Sequence, residues 1–184
     1  RVNFNGLGSL RYCATVRRTP AIAQGIAANW LERTAAFLAG LGPAVLDRAL
    51  AWAYLHETED SYAIEHEKPT QDKARAFVQL LKMAHEGRPL TEDYLAELQS
   101  STVSHPLDKA AEFRTQQNWL RGPGRGAMGV TYVPPWPDVL PQLMQEWMHF
   151  ANAAPSQLDP IVAASVVSFG FVFLHPFMDG NGRL

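Results

Sequence analysis

Residues 175–183 combine a base, a carboxylate, a glycine-rich turn and a cation in one segment, His-Pro-Phe-Met-Asp-Gly-Asn-Gly-Arg. An imidazole titrates near neutral pH, so His175 can accept a proton from an attacking hydroxyl group. A carboxylate such as Asp179 can hold Mg²⁺ together with phosphate oxygens and water. The segment therefore favours chemistry on a phosphate-containing substrate.

The turn Gly180-Asn181-Gly182 and the following Arg183 supply groups that bind anions. Glycine permits left-handed and tight backbone conformations, which bring N–H groups toward a bound anion. Arg183 adds a permanent cation whose planar guanidinium fits phosphate oxygens. Taken separately, a Gly-Asn-Gly sequence is most often an ordinary turn, and a histidine beside an apolar helix is most often a core residue. The order and closeness of all these groups favour a functional site.

The segment closely resembles the Fic family signature, His-x-Phe-x-Asp/Glu-Gly-Asn-Gly-Arg. The resemblance extends upstream through Phe113-Arg114, residues 132–135 and residues 159–174, and it covers about the second half of the chain. It implies a mainly α fold, a Fic-type helical domain with a β-hairpin flap. It also implies an Mg²⁺-dependent protein adenylyltransferase, which transfers AMP from ATP to a Ser, Thr or Tyr hydroxyl of a target protein or of the chain itself.

The resemblance assigns a role to each matching residue. His175 is implied as the catalytic base, and Asp179 is implied as the Mg²⁺ ligand. The implied nucleotide-binding residues are Gly180, Asn181, Gly182 and Arg183. The strand of the flap that docks the target is expected at Val130, Thr131 and Tyr132.

A second segment, residues 61–66, resembles the inhibitory Ser/Thr-x-x-x-Glu motif of some Fic proteins. Ser61 and Glu65 are expected to be regulatory, because a carboxylate beside the phosphate site pairs with an arginine there and repels the γ-phosphate. His66 stands where that motif has Gly or Asn, which leaves the strength of the inhibition open. The acidic residues of this region can instead form one solvated loop.

The arginine that pairs with the inhibitory glutamate in the family lies three positions beyond Arg183, past the last residue of the sequence. The sequence also starts at Arg1 rather than at a methionine. We therefore expect it to be part of a longer protein, truncated just after the active-site motif.

Other functions stay open beside AMP transfer. The same site can remove AMP from a modified protein or transfer another phosphate-containing group, and a Fic module without catalysis can bind a partner or a toxin. Asp179 and the intact Gly-Asn-Gly favour AMP over the kinase-like Fic toxins, whose motif varies at these positions. Residues 124–129 also fit Gly-x-Gly-x-x-Gly, but prolines follow them instead of a helix, so we interpret them as the tip of a hairpin.

Composition limits the classes of partner. The 184 residues are 47% hydrophobic and carry a formal net charge of -2, which supports a packed core and gives no broad electrostatic reason to bind nucleic acid or an anionic membrane. The single cysteine, Cys13, fits a reducing compartment, so a cytoplasmic location is expected, and oligomerisation stays open. The apolar run 161–174 is too short to span a membrane and predicts a buried helix.

Hydrophobic periodicity and capping residues predict the elements that position the motif. Helices are expected at 21–41, from 43 onward, at 70–87, 91–98, 138–151 and 159–174, with a polar interruption at 57–69 and a β-hairpin at 119–133. Thr91 and Asp159 are the predicted N-caps of two of these helices. We divide the chain into an N-terminal helical region, 1–90, that contains the inhibitory motif, and a Fic core, 91–184.

Overall fold

The computed structural model describes residues 6–64, 68–83, 87–103 and 105–184. Within these ranges the helices are α1 (Pro20–Ala27), α2 (Trp30–Ala39), α3 (Pro43–Ile64), α4 (Gln71–Met83), α5 (Glu92–Thr102), α6 (Leu140–Gln157) and α7 (Pro160–Leu174). The strands are β1 (Leu7–Gly8), β2 (Cys13–Ala14), β3 (Leu120–Arg121) and β4 (Val130–Tyr132). The prediction of a mainly α fold with a β-hairpin is confirmed. No helix in the described part of the chain is long and apolar enough to cross a membrane.

The chain forms two compact units. Unit 1 comprises Arg1–Thr15 and Ala84–Leu184, and unit 2 comprises Val16–Met83. The motif at 175–183 therefore belongs to unit 1, whereas Ser61 belongs to unit 2. The functional boundary near residue 90 stays a prediction.

In unit 2, the predicted helix over 21–41 is divided into α1 and α2 at Asn29. Asn29 has a φ of 47°, a left-handed conformation that asparagine adopts more readily than most residues. The Thr19 hydroxyl caps α1 by accepting a hydrogen bond from the Ile22 N–H at 3.3 Å. Hydrophobic periodicity missed the break because apolar residues continue on both sides of it.

The polar interruption predicted at 57–69 is wrong for its first half, because α3 continues to Ile64. Charged residues on an exposed helix face do not end a helix. The Thr58 hydroxyl donates to the Tyr54 carbonyl oxygen at 2.7 Å, inside the same helix. Ser61 therefore lies in a helix rather than a loop.

Unit 1 has a core that includes part of the motif itself. Its buried members are Leu95, Ala96, Phe113, Leu140, Met144, Trp147, Ala151, Phe171, Leu174 and Phe177. Phe177 has no exposed surface and packs against the rings of Phe113 and Phe171, at centroid distances of 5.6 Å and 6.4 Å. Burial of this ring fixes the loop that follows α7 to the core.

The predicted N-caps are confirmed, and two predicted helices are longer than expected. Thr91 accepts from the Tyr94 N–H at 3.2 Å, and α5 extends to Thr102. Helix α6 continues to Gln157 and includes Pro155. The extra turn of α6 is held by burial of Ala154, which has no exposed surface and packs in a second cluster beside α7.

The predicted hairpin at 119–133 is confirmed as the antiparallel pair β3 and β4, in which Leu120 faces Tyr132. Its tip is tight, because Gly124 and Gly129 approach so closely that a Cβ on either would overlap the backbone of the other. A second antiparallel pair, β1 with β2, was not predicted. These strands have only two residues each, which is too short for an alternating pattern to appear in the sequence.

Candidate active site

Helix α7 delivers His175 to the site. Its N-terminus is capped by Asp159, whose Oδ1 accepts from the N–H groups of Ile161 at 3.0 Å and Val162 at 3.3 Å. The C-cap of the helix is His175, which has a φ of 52° and a ψ of 59°. The following Pro176 disfavours a continued helix, because its ring crowds the residue before it. The helix therefore ends at Leu174, and the chain leaves the helical conformation at His175.

The imidazole of His175 has a defined orientation. Its Nδ1 lies 3.3 Å from the Val172 carbonyl oxygen. A carbonyl oxygen only accepts hydrogen bonds, so a neutral ring in this position carries its hydrogen on Nδ1 and has Nε2 as its basic nitrogen. This tautomer is the one that a general base acting through Nε2 requires.

Asp179 and Arg183 form an ion pair, with Arg183 Nη2 2.6 Å from Asp179 Oδ2. The Arg183 side chain is fully buried, whereas 41% of the Asp179 side chain is exposed. The structure thus joins the predicted metal ligand to the predicted phosphate-binding cation. The aspartate faces solvent, where a ligand can reach it.

The donor set around Asp179 fits Mg²⁺ held jointly with phosphates. Among the described residues, no three His, Cys, Asp or Glu side chains come together as a metal site. Mg²⁺ is commonly bound by one or two carboxylates, with water and substrate phosphates completing its coordination. A single half-exposed carboxylate matches that pattern, and Asp179 is the residue that would hold the ion.

The glycine-rich turn is braced by the side chain of Asn181. Asn181 Oδ1 accepts from the Phe177 N–H at 2.9 Å, and its Nδ2 donates to the Phe177 carbonyl oxygen at 2.8 Å. The turn closes where the Arg183 N–H donates to the Gly180 carbonyl oxygen at 3.1 Å. Because the Asn181 side chain is used in this brace, the predicted anion binding by Asn181 would involve its backbone N–H.

Sequence reasoning missed Gln99, a buried residue of α5 that holds the motif. Its Nε2 donates to the carbonyl oxygens of Asp108 at 2.7 Å and Asp179 at 3.1 Å. Its Oε1 accepts from the Ala110 N–H at 2.9 Å. With no exposed surface, Gln99 links the backbone of Asp179, the predicted metal ligand, to the segment at residues 108–110.

Two residues just before the hairpin hold the other side of the motif. Arg114 donates from Nε to the His175 carbonyl oxygen at 2.8 Å, and Asn118 donates from Nδ2 to the Phe177 carbonyl oxygen at 3.0 Å. Neither residue was predicted to hold the motif. Neither has a local signal, because the partners are backbone carbonyls about sixty positions away.

The predicted flap strand lies at the C-terminal end of α7. The Tyr132 hydroxyl donates to the Phe173 carbonyl oxygen at 2.6 Å, and the two rings are 5.6 Å apart. Burial raises the pKa of Tyr132, an effect that the nearby Arg114 partly opposes. Thr131 is exposed, and Val130 is half-buried.

The structure describes one of the two predicted regulatory residues. Ser61 is buried in α3 of unit 2. Glu65 and His66 lie outside the described residues. Their regulatory role stays a prediction.

Residues 89–184, just over half of the chain, match the profile of the Fic/DOC family. The chain is 35% identical over 92 residues to protein adenylyltransferase Fic of Drosophila grimshawi, a match that covers 48% of the chain and 17% of that protein. The same-named protein of Drosophila melanogaster is 33% identical over 92 residues, again 48% of the chain and 17% of the relative.

Two solved structures share the fold. A Fic domain-containing signaling protein from Bacteroides thetaiotaomicron gives a TM-score of 0.59 at 22% identity, covering 87% of this chain and 67% of that one. A Fic family protein from Desulfovibrio desulfuricans gives a TM-score of 0.63 at 20% identity, covering 91% of this chain and 55% of that one. At these identities the likeness concerns the fold.

Proposed function

This chain belongs to the Fic/DOC family, and from that premise we propose that it is a protein adenylyltransferase, which transfers AMP from ATP to a Ser, Thr or Tyr hydroxyl of a target protein. The observation that carries the proposal is the arrangement at the end of α7. There His175 directs its Nδ1 to the Val172 carbonyl oxygen. The half-exposed Asp179 follows His175 by four residues. The name of the Drosophila relatives supports the same reaction.

In the proposed reaction, His175 acts as the general base. Its Nε2 takes the proton of the target hydroxyl as that oxygen attacks the α-phosphorus of ATP, and the bond to the leaving pyrophosphate breaks. General base catalysis of this kind contributes about 10²–10⁴-fold. The buried ring of Phe177 anchors the loop that follows His175 to the core.

Binding of the phosphates falls to the turn at 180–182 and to Arg183. Backbone N–H groups in a tight turn attract anions, and a guanidinium can contact phosphate oxygens while keeping a carboxylate partner. Mg²⁺, held by Asp179, supplies charge neutralisation at the phosphates when it is bound. Because Arg183 already neutralises Asp179 at 2.6 Å, we expect Mg²⁺ to bind together with ATP rather than alone.

We place target docking on β4. A two-stranded hairpin has an outer edge whose backbone groups can pair with an extended segment of another protein. Val130, Thr131 and Tyr132 form that strand, and Tyr132 contacts the end of α7 that carries the base. A target hydroxyl docked there lies near His175.

Regulation by Glu65 is a further part of the proposal. A carboxylate beside the phosphate site competes with the γ-phosphate for an arginine and repels it. The support is the Ser61 to Glu65 motif in the sequence. Replacement of Glu65 by glycine removes the carboxylate and should increase activity.

The test is labelling with ATP. The natural full-length protein and an extract of target proteins are incubated with Mg²⁺ and ATP labelled at the α- or at the γ-phosphate. We expect protein labelled from the α-phosphate only, at least about 100-fold less with His175→Ala, which removes the general base. The matched control is His149→Ala, an exposed histidine on α6, which should label normally.

Other outcomes decide against parts of the proposal. Label from the γ-phosphate means phosphorylation instead of AMP transfer, and loss of AMP from a pre-modified protein means the reverse reaction. Glu65→Gly should label more strongly than Glu67→Gly, its neighbour in the same acidic stretch. Equal labelling by these two variants removes the inhibitory role of Glu65.

A further inference from the structure

Arg114 is a buried arginine whose guanidinium binds backbone carbonyls on three segments of unit 1. It has 6% exposed surface. It donates from Nε to His175 at 2.8 Å, from Nη1 to Gln116 at 3.0 Å and from Nη2 to Pro135 at 2.6 Å. Burial lowers the pKa of Arg114, but an arginine stays charged at any physiological pH. The cation is therefore held by carbonyl dipoles at the junction of α7 and the hairpin.

One of these contacts fixes the residue proposed as the base. His175 has a φ of 52°, and a non-glycine residue in this region is disfavoured by about 1–2 kcal/mol. Arg114 binds the carbonyl oxygens of His175 and Pro176. Its Nε donates to the His175 carbonyl oxygen and its backbone N–H donates to the Pro176 carbonyl oxygen, both at 2.8 Å. These bonds favour the left-handed conformation, because it presents both carbonyls to one residue.

The contact with Pro135 fixes the end of the hairpin nearest to α7. Pro135 lies three residues after the end of β4, and its carbonyl oxygen accepts from Nη2 of the same guanidinium. Tyr132 makes a second tie between the hairpin and the last turn of α7 through the Phe173 carbonyl oxygen. The planar guanidinium of Arg114 thus sets the position of β4 relative to His175.

We propose that Arg114 is a positioning residue that holds the His175 imidazole in a fixed position relative to the hairpin. A target segment on β4 then meets a base that is already oriented. This inference rests on the proposed function for its kinetic consequence but not for its geometric one. Lysine cannot replace Arg114, because a single ammonium group cannot reach carbonyls on three segments.

The geometric consequence is tested by NMR on the natural full-length protein labelled with ¹⁵N-histidine. Wild type should show His175 as the Nδ1–H tautomer, and His175→Ala identifies its signal. In Arg114→Lys and Arg114→Met, the ring should show mixed tautomers, as free histidine does. Arg88→Lys is the matched control, because Arg88 is a partly exposed arginine of unit 1 paired with Glu97 at 3.0 Å.

The kinetic consequence is a fall in kcat with little change in ATP binding. Arg114→Lys should lower kcat by about 10–100-fold, since misplacement of a reacting group by 1 Å can cost 10²-fold. The KM for ATP should stay within about two-fold, because the interaction lost is one that acts in the transition state. Thermal unfolding of Arg114→Lys and Arg88→Lys separates loss of positioning from loss of fold.

Two results would overturn the inference. One is an unchanged His175 tautomer in both Arg114 variants. The other is a kcat for Arg114→Lys equal to that of Arg88→Lys. If wild type transfers no α-label to protein, the proposed function fails, and the tautomer alone then decides the role of Arg114.

Discussion

The backbone at Gly180 has a φ of +82°, and a Cβ built there would lie 2.8 Å from Cγ1 of Val103. The positive φ disfavours a residue with a Cβ, and the short distance to Val103 leaves no space for one. Val103 is itself buried, so it has little room to move. The glycine therefore lets the turn approach the end of α5 closely enough for Gln99 to reach the Asp179 carbonyl oxygen.

We predict that Gly180→Ala destabilises unit 1 and weakens ATP binding. The left-handed backbone and the overlap with Val103 together should lower the free energy of unfolding by about 2–5 kcal/mol. Denaturant unfolding monitored by tryptophan fluorescence gives the stability, and calorimetric titration gives the affinity for ATP with Mg²⁺.

Gly126 provides the control, since it has a φ of +54° but open space around its Cβ position. Gly126→Ala should lose only the conformational part, about 1–2 kcal/mol. Adding Val103→Ala to Gly180→Ala should restore part of the steric loss. Equal destabilisation by Gly180→Ala and Gly126→Ala would contradict the packing argument.

At the scale of elements, Tyr132 makes one of the links between the hairpin and α7. The carbonyls in the last turn of a helix have no partner within it, and the Phe173 carbonyl is one of these. Tyr132 satisfies it at 2.6 Å while its ring packs on Phe173. Ionisation of the phenol removes the donated hydrogen and places a charge in a partly desolvated position.

The tie therefore predicts a pH dependence. Burial raises the pKa of Tyr132 above its ordinary value, so the folded state favours the neutral phenol. This contribution to stability is fully present below the unfolded-state pKa, about 10, and is lost as the pH rises through the folded-state pKa. Wild type should exceed Tyr132→Phe in stability by about 1 kcal/mol at pH 8, and the difference should shrink as the pH rises above the unfolded-state pKa and through the folded-state pKa.

Thermal unfolding of the two proteins between pH 8 and pH 11 is the measurement. Tyr12, whose pKa burial also raises, is present in both and cancels in the difference. A difference that stays constant over this range means that Tyr132 does not donate to α7.

The elements differed in how far the sequence determined them. Helix α7 was predictable because Asp159 and Pro160 mark its start and His175-Pro176 marks its end. The continuation of α3 to Ile64 was not, because a run of charged residues is compatible with both a loop and an exposed helix face. Gln99 was missed for a different reason: its partner, the Asp179 carbonyl, is 80 residues away, and nothing near Gln99 in the sequence marks a backbone acceptor at that distance.

At the scale of the whole molecule, the two units differ in how much they bury. In α1 and α2 of unit 2, which are described throughout, no residue is buried. In unit 1, α6 and α7 contribute most of a continuous core that reaches the motif through Leu174 and Phe177. Helices with few buried contacts open at low free energy, whereas core helices open only with the whole unit.

We therefore predict two levels of amide hydrogen exchange. Amides of α1 and α2 should exchange before those of α6 and α7, as measured by mass spectrometry on peptic fragments. ATP with Mg²⁺, at about 100 times its Kd, should stabilise the folded form by about 2.7 kcal/mol. Amides of unit 1 that exchange only when the site opens should therefore exchange about 100-fold more slowly. The effect should extend to α5 and to the segment around Arg114, because Gln99 and Arg114 bind the motif directly.

The experiment uses His175→Ala, so that ATP is not consumed, and exchange without nucleotide is the reference. Because α1 and α2 belong to the other unit and have no fully buried residue, their exchange should not change with ATP. Slowing confined to the motif, with α5 and the residues near Arg114 unaffected, would mean that their hydrogen bonds to the motif do not couple them to the nucleotide. Slowing of α1 and α2 equal to that of α5 would instead mean that the protein opens as one cooperative unit, and the division into two units would not describe its behaviour in solution.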